Sequence, residues 1–426
     1  MAGKDTRIDL TGILLPNPVR IPRYFELATP MPRVLRIINR LNLGGPTYNA
    51  ALLTRYMAPE FETLLVAGVK QDTEESSEYI VQDLGLSFIQ LPEMQRELSW
   101  SNDRAAYKRL RSIIREYRPD IVHSHAAKAG ALGRLAAFHE KVPVVVHTFH
   151  GHVFHSYFNP IKTRIFLGIE RYLAARSSAI IAISDRQRDE LSHHYKVCSP
   201  ERLHVIPLGF DLSRFRDDQV AKRSEFRKRY QLDDATLAVG IIGRLAPVKN
   251  HPLFLRAVAR LQGQHLPPTR FFLIGDGETR EALFALCDEL ELSYSYQGSR
   301  PDALVHFTGW DREVDRSMAG LDIICLTSFN EGTPVSLIEA QAAGKPIVST
   351  AVGGIENVVL AGETALLVPT NDLTSFSDSL DQLIRSAALR NKMAEKGWAH
   401  VRDRFHYTRL VSEMGNLYRN LLSNWS

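Results

Sequence analysis

The sequence has few cysteines and no long apolar run. Its three cysteines, Cys198, Cys287 and Cys325, are widely spaced and odd in number, which favours neither a disulfide framework nor a zinc knuckle. No apolar stretch approaches the ~20 residues that a membrane-spanning helix needs. The N-terminus, MAGKDTRIDL, lacks the apolar core of a secretory signal. We therefore expect a cytoplasmic protein whose thiols are buried or chemically idle.

The chain also has little excess charge of either sign. Its 52 Lys and Arg against 48 Asp and Glu leave a net charge of +4. Residues 1–212 hold 27 basic and 22 acidic side chains (+5), and residues 213–426 hold 25 and 26 (−1), so we expect no nucleic-acid partner. Charged residues make up 23% and hydrophobic residues 44%, as in ordinary globular proteins. A length of 426 residues favours two domains of about 200 residues each.

Short apolar segments alternate with helix-length stretches through both halves of the chain. The first half contains VLRII, FETLLVAG, SFIQLP, DIVHSH, VPVVVHTFH, AIIAIS and RLHVIPLG, and the second contains LAVGIIGRL, FFLIGDG, VHFTG, DIICLTS, PIVSTAVGG and ALLVP. This alternation predicts an α/β protein with two doubly wound parallel sheets. We place an N-terminal extension at 1–32, a first domain at 33–212 and a second from 213, because residues 214–232 form a polar connection.

The segment EGTPVSLIEA, from Glu331, follows the apolar run LDIICL. Pro334 is suited to open a helix, since its missing N–H costs nothing in a first turn. Glu331 then lies at the mouth of the helix and Glu339 lies inside it. A helix N-terminus presents unpaired N–H groups and partial positive charge, which suit phosphate or sugar oxygens, and the carboxylates can accept hydrogen bonds from a polyol. The segment predicts a site for a sugar attached to a diphosphate.

Four features of the second half, in their order and spacing, resemble one enzyme family. They are Gly243-Arg244 and Lys249 in GRLAPVKN, then Glu331-x7-Glu339, then VGGI. The first half adds the segments NLGGP, DIVHSHAAKAG and HTFHGHVF. The chain from about Arg33 to Leu421 is similar to the retaining nucleotide-sugar glycosyltransferases of family 4, bacterial polysaccharide type. That resemblance implies the GT-B fold, in which two Rossmann-like domains face each other across a cleft. It also implies that residues 213–406 bind the nucleotide sugar and that the helix at 407–426 crosses back to the first domain.

The resemblance also implies roles for particular residues. The catalytic residues are Glu331, His125, Arg244 and Lys249; the donor-binding residues are Gly44, Gly45, Gly243, Gly275, Gly277, Gly332, Thr333 and Glu339; the acceptor-side residues are His150 and Lys128. Glu331 is expected to bind the sugar hydroxyls and Glu339 the ribose. Because the sequence contains no Asp-x-Asp triplet to hold a divalent metal, Arg244 and Lys249 are expected to stabilise the departing diphosphate. We therefore expect neither a metal nor a cofactor besides the donor substrate.

Histidines crowd two segments of the first half. His123 and His125 end one predicted strand, and His147, His150, His152 and His155 lie in HTFHGHVFH. Such spacing suggests a metal site. No cysteine or carboxylate constellation accompanies them, so we interpret both segments as strand ends that face the cleft, with His123 structural.

The predicted activity is transfer of a hexose-type sugar to a hydroxyl acceptor with retention of configuration. The family implies a mechanism in which the leaving phosphate oxygen accepts the acceptor's proton. Two alternatives stay open: a nucleotide-sugar epimerase of the same fold, and a binding subunit without turnover. The acceptor is either lipid-linked, in cell-surface polysaccharide assembly, or a soluble small molecule.

A dense run of cations lies between Arg104 and Arg118, around the apolar residues Leu110, Ile113 and Ile114. One interpretation is the solvated face of a helix. The other is contact with an anionic membrane surface, which would make the protein peripheral on the inner face of the cell membrane.

Overall fold

The computed structural model describes residues 31–41, 44–69, 77–95, 97, 99–151 and 160–425. The predicted extension at 1–32 therefore lies almost wholly outside the described residues, as do His152 and His155. Pro32–Ser426 forms one unit. Within it, the described residues form two parallel sheets of seven strands each, which confirms the predicted α/β class with two Rossmann-like domains.

The first domain alternates strands and helices. Its elements are β1 (Arg33–Ile38), α1 (Gly45–Tyr56), β2 (Glu62–Gly68), α2 (Glu78–Asp83), β3 (Phe88–Leu91), α3 (Trp100–Tyr117), β4 (Ile121–His125), α4 (Ala127–His139), β5 (Val144–Thr148), α5 (Pro160–Arg176), β6 (Ala179–Ala182), α6 (Asp185–Asp189) and β7 (Leu203–Val205). The strand order is β3-β2-β1-β4-β5-β6-β7. The order reverses direction at β1, and this reversal creates the crevice where such sheets bind ligands.

The second domain repeats the pattern and ends in three helices. Its elements are α7 (Gln219–Arg229), β8 (Leu237–Ile242), α8 (His251–Gln262), β9 (Thr269–Ile274), α9 (Arg280–Glu289), β10 (Tyr294–Tyr296), β11 (Val305–Gly309), α10 (Val314–Gly320), β12 (Ile323–Leu326), α11 (Val335–Ala342), β13 (Ile347–Thr350), β14 (Ala365–Val368), α12 (Leu373–Arg385), α13 (Ala387–Phe405) and α14 (Tyr407–Ser423). The order is β10-β11-β9-β8-β12-β13-β14, so the equivalent switch point lies at β8.

Helices cover both faces of each sheet, which explains why the central strands are buried on both sides. In the first domain α3 and α4 bury Ala106, Leu110 and Ala136 against one face of the sheet. On the other face, α14 buries Leu410 and Tyr418 beside Val34, Leu53 and Phe61. The last helix of the chain therefore completes the core of the first domain.

The chain passes from the second domain back to the first at His406, the single residue between α13 and α14. Phe210 N donates to Phe405 O at 2.8 Å, and Tyr407 N donates to Phe210 O at 3.0 Å. His406 lies between α13 and α14 and pairs with Phe210 as an isolated bridge. These bonds fix the point at which α14 leaves the second domain.

Two local features differ from the sequence prediction. The edge strand β10 was not predicted, because three residues with alternating polarity are too short for a periodic signal. The helix predicted to open at Pro334 begins at Val335, with Pro334 as its N-cap.

Candidate active site

Two cations follow β8 at the carboxyl edge of the second sheet. Arg244 has a side chain that is 57% exposed, and it donates from Nε and Nη2 to Glu278 Oε2 at 3.1 and 2.8 Å. Lys249 ends a short 3-10 turn, and its Nζ lies 2.6 Å from Glu331 Oε1. Each predicted phosphate-binding cation therefore forms an ion pair. Because Arg244 is exposed, its guanidinium can exchange Glu278 for a phosphate at low cost.

The Lys249–Glu331 pair joins the loop after β8 to the loop after β12. Glu331 Oε1 also accepts a hydrogen bond from Ser328 Oγ at 2.6 Å, and Thr327 Oγ1 donates to Lys249 O at 2.9 Å. The side chains of Lys249 and Glu331 are 23% and 10% exposed. Both charged groups are thus largely withdrawn from water and bonded to neighbours that hold them in place.

Gly353 and Gly354 hold the segment after β13 against this corner. Gly354 N donates to Glu331 O at 2.9 Å. A Cβ atom on Gly353 would lie 2.0 Å from Glu331 O, and one on Gly354 would lie 1.7 Å from Gly332 O. Only glycine permits this approach of two backbones. The approach fixes the exposed Gly332 and the partly buried Thr333 at the mouth of α11.

Glu339 lies within α11, further along the chain than Glu331, in a cluster of side chains that come from both domains. Burial raises the pKa of its carboxyl to about 8, while Arg214 lowers this pKa and Asp315 raises it. Arg214 Nη2 donates to Asp315 Oδ1 at 2.5 Å. Tyr48, from the first domain, lies close enough to Glu339 for the two groups to interact electrostatically, and its side chain hydrogen-bonds Tyr79. The pKa of Tyr48 is raised chiefly by burial. The predicted ribose ligand is therefore a carboxyl that holds its proton at neutral pH.

Three of the six glycines predicted to bind the donor, Gly45, Gly275 and Gly277, allow neighbouring segments to pack closely. A Cβ atom on Gly275, whose φ is 138°, would lie 2.1 Å from Gly243 O, and one on Gly277 would lie 2.4 Å from Leu245 O. In the first domain, Gly44 is the N-cap of α1, and a Cβ atom on Gly45 would lie 2.6 Å from Leu208 Cδ1. These glycines bring successive loops together at the carboxyl ends of the strands. Asn42 and Leu43 of the NLGGP motif lie outside the described residues.

His125 and His150 meet at the carboxyl edge of the first sheet. His125 Nδ1 lies 2.9 Å from His150 Nε2, and the two rings stack with centroids 5.2 Å apart. Burial holds the pKa of His125 well below its usual range and lowers that of His150 to about 3, so both rings are neutral. His125 Nε2 and His150 Nδ1 are buried without a hydrogen-bond partner in the described structure, which leaves both atoms available for a ligand.

His123 belongs to a separate buried network. Its Nδ1 lies 2.9 Å from Arg36 Nη1 and 2.6 Å from Tyr418 Oη, and its Nε2 lies 2.7 Å from Thr148 Oγ1. Arginine only donates, so Nδ1 must accept, and the proton of the ring is on Nε2. This network connects β1 and β4 to the final helix α14. The sequence contained no local signal for Arg36, whose side chain is fully buried.

Lys128, in the first turn of α4, has a side chain that is only 10% exposed. Its Nζ lies 2.6 Å from Asp103 Oδ1 and donates to Glu97 O. An acceptor phosphate at this lysine would compete with that ion pair, and the acceptor-side role of Lys128 stays a prediction.

Two arginines that sequence reasoning missed connect the domains. Arg186 in α6 donates from Nη1 to Gly353 O at 3.1 Å, and the guanidinium of Arg312 lies 5.5 Å from the centroid of the Tyr79 ring. Arg186 thus reaches from the first domain to the loop that packs on Glu331. No spacing rule marks either residue, because each contact joins segments far apart in sequence.

Two further findings concern metals and membranes. Among the described residues, no group of three or more His, Cys, Asp or Glu side chains is arranged to hold a metal ion. Across the same described ranges, no helix is both long and apolar enough to cross a bilayer.

Comparison with known proteins agrees with this geometry. Residues 44–214 match the family model of Glycosyltransferase Family 4, and residues 222–399 match that of Glycosyl transferases group 1. The chain is 27% identical over 336 residues to the Escherichia coli UDP-Gal:alpha-D-GlcNAc-diphosphoundecaprenol alpha-1,3-galactosyltransferase, covering 78% of this chain and 84% of that protein. It is 32% identical over 292 residues to a D-inositol 3-phosphate glycosyltransferase of a Nocardioides species, covering 65% and 62%.

A solved structure shows the same fold. The crystal structure of HepE from Anabaena in complex with UDP superposes with a TM-score of 0.73 at 18% identity, covering 91% of this chain and 100% of that one. Two family models divide the chain between its two parallel-sheet domains. The chain therefore belongs to the glycosyltransferases of the GT-B fold, with a Family 4 first domain and a group 1 second domain.

Proposed function

We propose that the protein transfers a hexose from a nucleoside diphosphate sugar to a hydroxyl acceptor with retention of anomeric configuration. The observation that carries the proposal is the Lys249–Glu331 pair, with its two charged atoms 2.6 Å apart at the mouth of α11. Lys249 and the nearby Arg244 offer positive charge to a departing diphosphate. Glu331 offers an acceptor to the sugar hydroxyls. The two tasks meet at one corner of the cleft.

Retention follows if the acceptor attacks from the side that the diphosphate leaves. The leaving phosphate oxygen then takes the proton of the acceptor hydroxyl, so no protein side chain need serve as nucleophile or general base. Neutral His125 supports this arrangement, because its free Nε2 can hydrogen-bond the sugar without adding a charge near the developing oxocarbenium ion. The protein's part is positioning and charge stabilisation.

The diphosphate is stabilised by protein cations without a metal in this proposal. Arg244 provides a planar fork and Lys249 a compact charge, which can approach one diphosphate from two directions. Both start from carboxylate partners, Glu278 and Glu331. Transfer that survives chelation by EDTA is the expected result, and reversible loss of transfer on chelation would contradict it.

For the acceptor we propose a lipid-linked sugar used in cell-surface polysaccharide assembly, with UDP as the nucleotide. The E. coli relative is named for an acceptor on diphosphoundecaprenol, and the Anabaena neighbour was crystallised with UDP. The rival acceptor is a soluble phosphorylated polyol, since the Nocardioides relative is named for D-inositol 3-phosphate.

One experiment tests the activity and the acceptor together. The purified chain is incubated with uridine, guanosine, adenosine and thymidine diphosphate sugars, each with a short-chain prenyl-diphosphate sugar or with inositol phosphate, and products are found by mass spectrometry. The anomeric configuration of the product is then read by proton NMR. We expect transfer from a uridine diphosphate sugar to the prenyl-linked acceptor, with the donor's configuration retained. An inverted product, or an altered nucleotide sugar released without acceptor, would overturn the proposal.

A further inference from the structure

Three helices form one outer layer of the first domain. Helix α4 packs against α3 on one side and α5 on the other. The inner sides of α3 and α4 are buried on the sheet through Leu110, Ile113 and Ala136. The opposite sides of the three helices therefore form a continuous surface, referred to below as the α3–α5 face.

The part of this face on α3 is basic. Its exposed cations are Arg104, Lys108, Arg109, Arg115 and, at the C-cap, Arg118. In the described structure Arg115 lies 3.7 Å from Glu140, whereas the other four form no ion pair with the residues described. Trp100, in the first turn, is 95% exposed. One exposed carboxylate, Glu116, lies on the same helix. The helix thus combines an excess of exposed positive charge with one almost fully exposed indole.

The part on α5 is apolar. Ile165, Ile169 and Tyr172 are 58%, 43% and 51% exposed, and their spacing of four and three residues places them in one stripe on a helix. The one acidic residue between 163 and 176, Glu170, is buried and bonded to Arg134 Nη2 at 2.7 Å. No carboxylate of this segment therefore faces solvent beside the stripe.

Exposed apolar side chains are concentrated on this face. Of eleven exposed large hydrophobic side chains in the described structure, five lie on α3, α4 or α5: Trp100, Leu135, Ile165, Ile169 and Tyr172. Such a concentration marks an interaction surface. A symmetric dimer through this face would bring the same cations of two copies together, so an anionic partner fits better than a second copy.

We propose that the α3–α5 face binds the surface of an anionic lipid bilayer. The cations of α3 lie at the level of the headgroups, and the stripe of α5 enters the boundary with the acyl chains, as amphipathic elements do. This inference goes beyond the proposed transfer reaction, because the face lies outside the active site. Vesicles without any acceptor test it separately.

The test is sedimentation of the full-length protein with vesicles of phosphatidylcholine, with or without phosphatidylglycerol. Wild-type protein should sediment with the anionic vesicles at low ionic strength and should be released by high salt. The triple variant Arg104→Gln, Lys108→Gln, Arg109→Gln should bind about 10²-fold more weakly, because each cation near the surface is worth about fivefold. Donor hydrolysis should equal that of the wild type.

A matched triple variant controls for net charge. Lys228→Gln, Arg229→Gln and Lys392→Gln removes three exposed cations from the second domain and should bind vesicles like the wild type. Equal losses in the two triple variants would show unspecific attraction and overturn the proposal. Failure of the wild-type protein to sediment with anionic vesicles at low salt would do the same.

The apolar stripe has its own test. Ile165→Gln with Ile169→Gln should weaken vesicle binding at least ~10-fold and make the remainder more sensitive to salt. Val220→Gln, at a residue 85% exposed on α7, should have no effect. If the α5 variant instead converts a dimer into a monomer on gel filtration and leaves vesicle binding unchanged, the stripe is a contact between copies of the chain and the proposal is wrong.

Discussion

Glu339 offers the most quantitative check of the site. Burial raises the pKa of its carboxyl to about 8, so the folded protein holds a proton there at neutral pH. Glu339→Gln keeps the size of the side chain and removes the ionisable group. We expect the variant to be more stable than the wild type in alkaline solution and similar to it in acid.

The sign follows from the two pKa values. In the unfolded chain a glutamate has a pKa of ~4.3, against about 8 in the folded protein. As pH rises between these values, the unfolded chain releases a proton that the folded protein keeps, so the wild type loses stability. A gap of ~4 units corresponds to at most ~5 kcal/mol. Glu339 retains some contact with water, so we expect ~2 kcal/mol after discounting for solvent screening.

The assay is thermal unfolding of wild type and Glu339→Gln at about pH 5 and about pH 9, values that lie near or beyond the two ends of this window. The advantage of the variant in Tm should be small at the lower pH and several degrees at the higher. Glu356→Gln, on the surface, is the matched control. An advantage of Glu339→Gln that is equal at both pH values, or larger in acid, would show that the carboxyl is ionised in the folded protein and would refute the reasoning.

In steady-state kinetics Glu339→Gln should raise the donor KM and leave kcat near wild type, because a ribose contact is made equally in ground and transition states.

Five further substitutions test neighbouring parts of the structure. Arg244→Ala and Lys249→Ala should each lower kcat/KM by ~10²-fold or more, since each removes charge that stabilises the departing phosphate; wild-type turnover in either would exclude the clamp. Glu331→Ala should depress kcat more than it raises donor KM, and steady-state kinetics showing the reverse would separate Glu331 from the reacting sugar. Arg186→Ala should lower kcat/KM ~10-fold with unchanged Tm, because one charged hydrogen bond between the domains is lost; an unchanged kcat/KM would make that bond incidental. Tyr418→Phe should cost ~1–2 kcal/mol on thermal unfolding, because its buried hydroxyl bonds His123; an unchanged Tm would contradict that network.

Much of the fold could be predicted because it depends on neighbours in sequence. Apolar runs such as LAVGII and AIIA became buried strands β8 and β6, since a parallel strand covered on both faces is largely apolar. In the segment EGTPVSLIEA, Pro334 likewise indicated the start of a helix, and Glu331 lies just before the N-terminus of that helix as expected. The three-residue strand β10 was missed because its place at the sheet edge comes from pairing with β11, and pairing leaves no local pattern.

The sequence by itself therefore determined the two-domain α/β architecture and the family motifs, because periodic burial and helix starts are local properties of the chain. Only the tertiary structure decided which charges meet. Lys249 forms an ion pair with Glu331, which is 82 residues away in sequence, and Arg186 donates a hydrogen bond to Gly353, which is 167 residues away. The pKa of Glu339 was equally beyond the reach of sequence, because desolvation and Coulomb energy depend on distances in space. Spacing along the chain does not encode those distances.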